Sequence, residues 1–200
     1  SDVVNTSNNG IIITGSYRGD VLFDSGPSPT IRNERTAFVA QLDQYGGWSW
    51  FKHTGQPVDS VGSAHSEEAT IGPAGVWICG WITDTITFGE HSVTTGGLYT
   101  DGFVALYNIT QDNWDIVTTW GGQVDDHANG CTATAEGSVY VVGSFRDTGY
   151  FGTNQYQSEG GSESEETTEN EMAGRTPAVL LARELLYRLC EFGHNYPLDK

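Results

Sequence analysis

The stretch Gly75-Val-Trp-Ile-Cys-Gly80-Trp81, followed by Thr87-Phe88-Gly89 and then Asp101-Gly-Phe103-Val-Ala-Leu-Tyr107, decides how this chain is read, because its framework recurs. Gly80, Phe88 and Phe103 reproduce the spacing of Gly15, Phe23 and Phe38, and a third copy begins with Gly143 and Phe151. Each complete copy continues to a tryptophan and then an aspartate, Trp48 and Asp59 in the first, Trp114 and Asp125 in the second. The period is about 65 residues, which predicts an architecture built by repetition.

The repeats read as strands. Ile11-Ile12-Ile13, Val76-Trp77-Ile78 and Val139-Tyr140-Val141-Val142 are β-branched and aromatic runs expected to stop at the framework glycine. A second strand is expected at Thr36 to Leu42 and at Asp101 to Tyr107, where apolar residues on both parities predict a sheet covered on both faces. The third begins at Trp48 or Trp114 and ends in Gly55 or Gly121-Gly122. A fourth is expected over residues 62–70 and 130–135, so that four strands make one blade-like sheet.

From Gly75 to Tyr107, and again from Trp120 to Gly143, the residues quoted above resemble the SBBP-type bacterial β-propeller repeat. The resemblance spans about residues 9–155 and implies a propeller on secreted, cell-surface or virion-associated proteins, with no single activity and no catalytic motif. The first copy departs from the pattern: Thr36 stands where the second has Asp101, and no glycine pair precedes that strand. The long period implies extended loops between strands.

A closed propeller needs about four to eight blades, and two repeats and part of a third do not close a ring. The expected class is therefore all-β, an incomplete ring of about 2.5 propeller-type repeats over residues 1–157, finished by other chains or left as an open stack. Residues 158–175 read as an acidic tether of Gly, Ser, Thr and Glu, too poor in apolar residues to offset its ordering entropy. Residues 176–200 read as an amphipathic helix capped by Thr176, with Pro177 in its first turn. Leu181, Leu185, Leu189 and Phe192 share one face, which either packs on the chain's own sheet or docks on a partner. Its apolar run is short and broken by charge, against membrane insertion.

Twenty-six acidic residues face nine basic ones, for a net charge of -17, and such a surface repels nucleic acid. The acid excess and the scarcity of lysine fit an extracellular, cell-surface or virion setting. Ser1 is compatible with loss of an initiator methionine or of a leader. Cys79, Cys131 and Cys190 lack the spacing of a disulfide framework or zinc knuckle, which favours free thiols, with a Cys79 to Cys131 bridge as the other option.

The five histidines read as scattered, and Asp125-Asp126-His127 is the best catalytic-looking cluster. An aspartate at a recurring turn, however, more often caps backbone N–H groups. No enzyme and no cofactor is expected, with calcium at acidic loops the open option. Asp43-Gln-Tyr-Gly-Gly47 reads as a hairpin. Most tryptophans belong to the core; Trp81 and Tyr99, near loops, are the candidates for stacking on a glycan. The expected function is structural assembly through self-association and helix docking, in a homo-oligomer or larger particle. A lectin-like or adhesion module is the alternative.

Overall fold

The computed structural model describes residues 1–6, 10–19, 21, 34–57, 60–95 and 99–158. They contain strands and turns and no helix. The chain is all-β. Phe23, Asp59, the tether beyond Ser158 and the expected tail helix, with Leu181, Leu185, Leu189 and Phe192, lie outside the described residues.

Strands β1 (Asp2–Asn5), β2 (Ile11–Tyr17), β3 (Thr36–Leu42) and β4 (Trp48–His53) form an antiparallel meander in that order. A second meander follows: β5 (Ala64–Gly72) and β6 (Gly75–Ile82), then a separate hairpin of β7 (Thr85–Phe88) and β8 (His91–Thr94), then β9 (Asp101–Asn108) and β10 (Asn113–Gly122). The third sheet holds β11 (His127–Ala133) and β12 (Val139–Ser144). A last hairpin, β13 (Thr148–Phe151) and β14 (Asn154–Gln157), joins the outer edge of β10.

Three expectations change. Strands run through the framework glycines instead of stopping there: Gly15 and Gly80 pair in register with Phe38 and Phe103, and a side chain would meet the Phe38 ring at Gly15 and the His65 backbone at Gly80. The strand expected to close a unit opens the next one, since β5 pairs with β6 and not with β4. Gly55 and Pro57 follow β4, and a proline lacks the N–H that a continuing ladder would use. Finally, the segment carrying the second framework residue is a hairpin rather than an extended loop. Phe88 and Phe151 are each followed by a two-residue turn that starts at a left-handed glycine, Gly89 (φ 57°) or Gly152 (φ 62°).

Repetition extends to single hydrogen bonds. Gly19, Asp84 and Asp147, each four residues before a framework phenylalanine, all adopt positive φ, at 72°, 54° and 55°. The Ala64 amide donates to the Arg35 carbonyl at 2.9 Å, as the Asp126 amide does to Thr100 at 2.7 Å. Gly55 bridges Thr87, and Gly121 pairs with Tyr150, so each hairpin clips the last strand of the unit before it. Carboxylates fasten successive sheets in the same way: Asp2 accepts from the Ala69 amide at 3.3 Å, Glu68 from the Cys131 amide at 3.0 Å.

The sheets stack in three layers. Val76, Ile78, Phe103, Ala105 and Tyr107 of the second sheet meet Ile12, Ala37 and Val39 of the first. On its other face Trp77, Cys79, Val104 and Leu106 meet Ala128, Cys131 and Val141 of the third. Every residue of β9 is buried, which accounts for its apolar residues on both parities. The first sheet is covered on one side by the second. Its outer face carries a half-buried trio, Tyr17, Phe38 and Phe51, with ring centroids 5.7 to 6.2 Å apart.

Candidate functional site

At one end of the stack, side chains from all three sheets meet around Trp81. His65 on β5 lies directly opposite Trp81 on β6, and their rings are 5.4 Å apart. His127 on β11 stacks on Trp81 from the third sheet at 6.0 Å and 27°. Ser16 of the first sheet reaches His65 Nδ1 at 2.5 Å, and Glu67 lies 3.2 Å from Nε2. Burial holds His65 below the usual imidazole pKa, with Glu67 opposing that shift. The neutral ring fits its partners: Nδ1 accepts from the Ser16 hydroxyl and Nε2–H donates to Glu67.

The two histidines are structural counterparts. Each stands one residue before a bulge, between Ser66 and Glu68 in β5 and between Ala128 and Gly130 in β11. They are 62 residues apart rather than 65, so the framework period did not reveal them; searching for pairs near the period, rather than on it, would have done so.

Asp125 caps a turn. Its Oδ1 accepts from the Thr100 amide at 3.1 Å and from the Thr100 hydroxyl at 3.2 Å. These bonds, the amide first, hold its carboxyl below the usual range. In the preceding unit the Arg35 amide donates to Ser63 Oγ at 3.3 Å, so the structural counterpart of Asp125 is Ser63. His127 Nε2 lies 2.8 Å from the Thr100 hydroxyl. The carboxylate therefore sits on the hydroxyl and not on the imidazole, and the hydroxyl–imidazole–carboxylate order that activates a nucleophile is not formed.

Asp126 occupies the place of Ala64 and is fully buried. Its Oδ1 accepts from the Arg146 amide at 2.8 Å, whereas Oδ2 has no hydrogen-bond partner among the described residues. Burial raises its pKa against the pull of the Arg146 and Gly122 amides. A carboxyl raised on folding binds its proton more tightly in the folded chain, so its support for folding is complete below the unfolded value, about pH 3.9, and is lost as pH rises through the folded value. Asp126→Asn removes this titration. The expected result is that wild-type stability minus variant stability is greatest near pH 4 and falls towards neutrality, read from urea midpoints at three pH values. A difference that is flat, or that grows with pH, refutes the assignment. Asp112 and Asp125, whose pKa values are depressed, contribute the opposite slope to both proteins and cancel.

Of the candidates for glycan stacking, Tyr99 is 46% exposed. Trp81 is half-buried and already carries two imidazoles, one of which a stacking sugar would displace. A shallow depression of about 300 Å³, lined by Gly10, Gln41, Asp43, Gln44, Tyr45 and Ser49, lies elsewhere, on the first sheet. Asp43 Oδ1 accepts from the Tyr45 and Gly47 amides at 2.8 and 2.9 Å, and the turn leaves Tyr45 88% exposed. Its signal in sequence was the hairpin Asp43-Gln-Tyr-Gly-Gly, which predicts a turn but not that the tyrosine projects over a depression. Among the described residues no group of three or more His, Cys, Asp or Glu side chains could hold a metal ion. No family model matches the chain, and no curated protein matches it.

Proposed function

We propose that this chain is a non-enzymatic assembly module, a propeller-type array of sheets that works by associating with copies of itself or with a larger extracellular or virion scaffold. The observation that carries this reading is the third sheet. It holds two strands where the first and second sheets hold four and six, and among the described residues no strand pairs with the outer edge of β12, where Val142 is 53% exposed. An open strand edge at the end of a stack favours further association. The tail over 176–200 would add a docking helix, and the acidic surface fits protein or glycan partners rather than nucleic acid.

Light scattering across micromolar concentrations tests this: the expected result is a particle several times the 21.7 kDa chain mass. A strict monomer over that range overturns it. The exposed Tyr45 depression, with Tyr99, favours lectin-like binding as the second reading. A glycan array separates the two, with Tyr45→Ala, Tyr99→Ala and Trp81→Ala locating any site.

A further inference from the structure

The two described cysteines are 52 positions apart in sequence and meet between the second and third sheets. Cys79 points from β6 towards the third sheet beside Trp77, Val104 and Leu106. Cys131 approaches from β11: its amide donates to the Glu68 carboxylate at 3.0 Å and its Sγ lies 4.0 Å from the Glu68 carbonyl oxygen. Glu68 is directly opposite Cys79 in the β5–β6 ladder, and the two cysteines pack in the same buried cluster. Both thiols are buried, at 0% and 6% exposure.

We propose that Cys79 and Cys131 form an intramolecular disulfide when the chain folds in an oxidising environment, and that this bond staples the two-stranded third sheet to the second. Two S–H bonds break and one S–S bond forms. The two electrons and two protons pass to a small-molecule disulfide of the oxidised glutathione class, which leaves as two thiols. The neighbouring Cys79 thiol, and then burial, hold the Cys131 thiol protonated once folded. Exchange therefore takes place before the third sheet closes on the second, and closure afterwards shields the bond from reductant. The third sheet is the layer that gains most, because it has two strands against four in the first sheet and six in the second.

The full chain is folded in oxidised glutathione buffer and, in parallel, with dithiothreitol. Both samples are then denatured and alkylated with a maleimide; Cys190→Ser is carried through the same steps so that the third cysteine cannot confuse the count. The expected result for Cys190→Ser is no alkylated cysteine in the oxidising arm and two in the reducing arm. Proteolysis of the oxidised sample should give a Cys79–Cys131 linked fragment, and its Tm should exceed that of the reduced sample by roughly 10 °C. Two free thiols, glutathione adducts, covalent dimers or aggregation in the oxidising arm alone would each overturn the proposal. All four outcomes leave the assembly reading untouched.

Discussion

Phe103→Ala is expected to destabilise the chain by about 3–5 kcal/mol, whereas the same substitution at its repeat counterpart Phe38 costs about 1–2 kcal/mol. Phe103 is fully buried, with its ring 5.2 Å from that of Phe88, which in turn meets Trp114 edge-on at 5.2 Å. Removing it leaves a cavity in a core shared by Val76 and Ile78 of its own sheet and Val39 of the first. Such a site cannot collapse without moving a sheet that is also held on its far side. Phe38 occupies the same register position opposite a framework glycine, but its ring lies on the outer face of the first sheet with Tyr17 and Phe51. Phe38 is only half-buried, so less enclosed volume is lost there. The comparison isolates layer position, since residue type, strand position and cross-strand partner are the same. Urea midpoints of the two variants check it, and equal losses would mean that the outer face of the first sheet is as enclosed as the interior of the stack.

Much of this was legible in sequence, and the part that was not has physical reasons. Val76-Trp77-Ile78 and Asp101 to Tyr107 read as strands because both parities are apolar, and the second sheet is packed on both faces. That pattern cannot say which neighbour a strand pairs with. Residues 62–70 therefore read as part of the unit before them, although β5 hydrogen-bonds forward to β6. The hairpin at Thr85 to Thr94 is hidden in sequence because its four-residue strands are short and rich in polar residues, with Ile86 and Phe88 buried and Val93 packed against the same core. At the candidate site, Trp81 and Tyr99 were chosen for lying near loops. The contacts that surround Trp81 come from three separate sheets, and His127 follows His65 by 62 residues, off the 65-residue period that would have exposed their kinship. Asp125 was legible as a cap because capping is local chemistry, set within one turn.

Gly80→Ala is expected to cost about 3 kcal/mol, at the upper end of overpacking penalties, and Gly143→Ala a similar amount, while Gly15→Ala costs about 1 kcal/mol or less. At Gly80 a Cβ would stand 1.9 Å from the His65 carbonyl oxygen and 3.0 Å from Ser66 Cα; at Gly143 it would stand 2.1 Å from the His127 oxygen. Those obstacles are backbone, brought close by the bulges that insert Glu67 into β5 and Asn129 into β11. Gly15 faces no bulge. Its Cβ would meet the Ser1 side chain at 3.1 Å and the edge of Phe38 at 3.3 Å, and both can shift. If alanine forced a bulge flat, the strand beyond it would slip by one residue and exchange its two faces. In β5 that slip would move His65 away from Trp81 and draw the buried Ala64 and Ser66 out of the core. Gly80→Ala should therefore lose the tryptophan fluorescence signature of the His65–Trp81 contact together with stability, and Gly143→Ala should speed amide exchange in β11 and β12 before the second sheet opens. Equal, small losses at all three glycines would show that the bulges at Gly80 and Gly143 yield without cost.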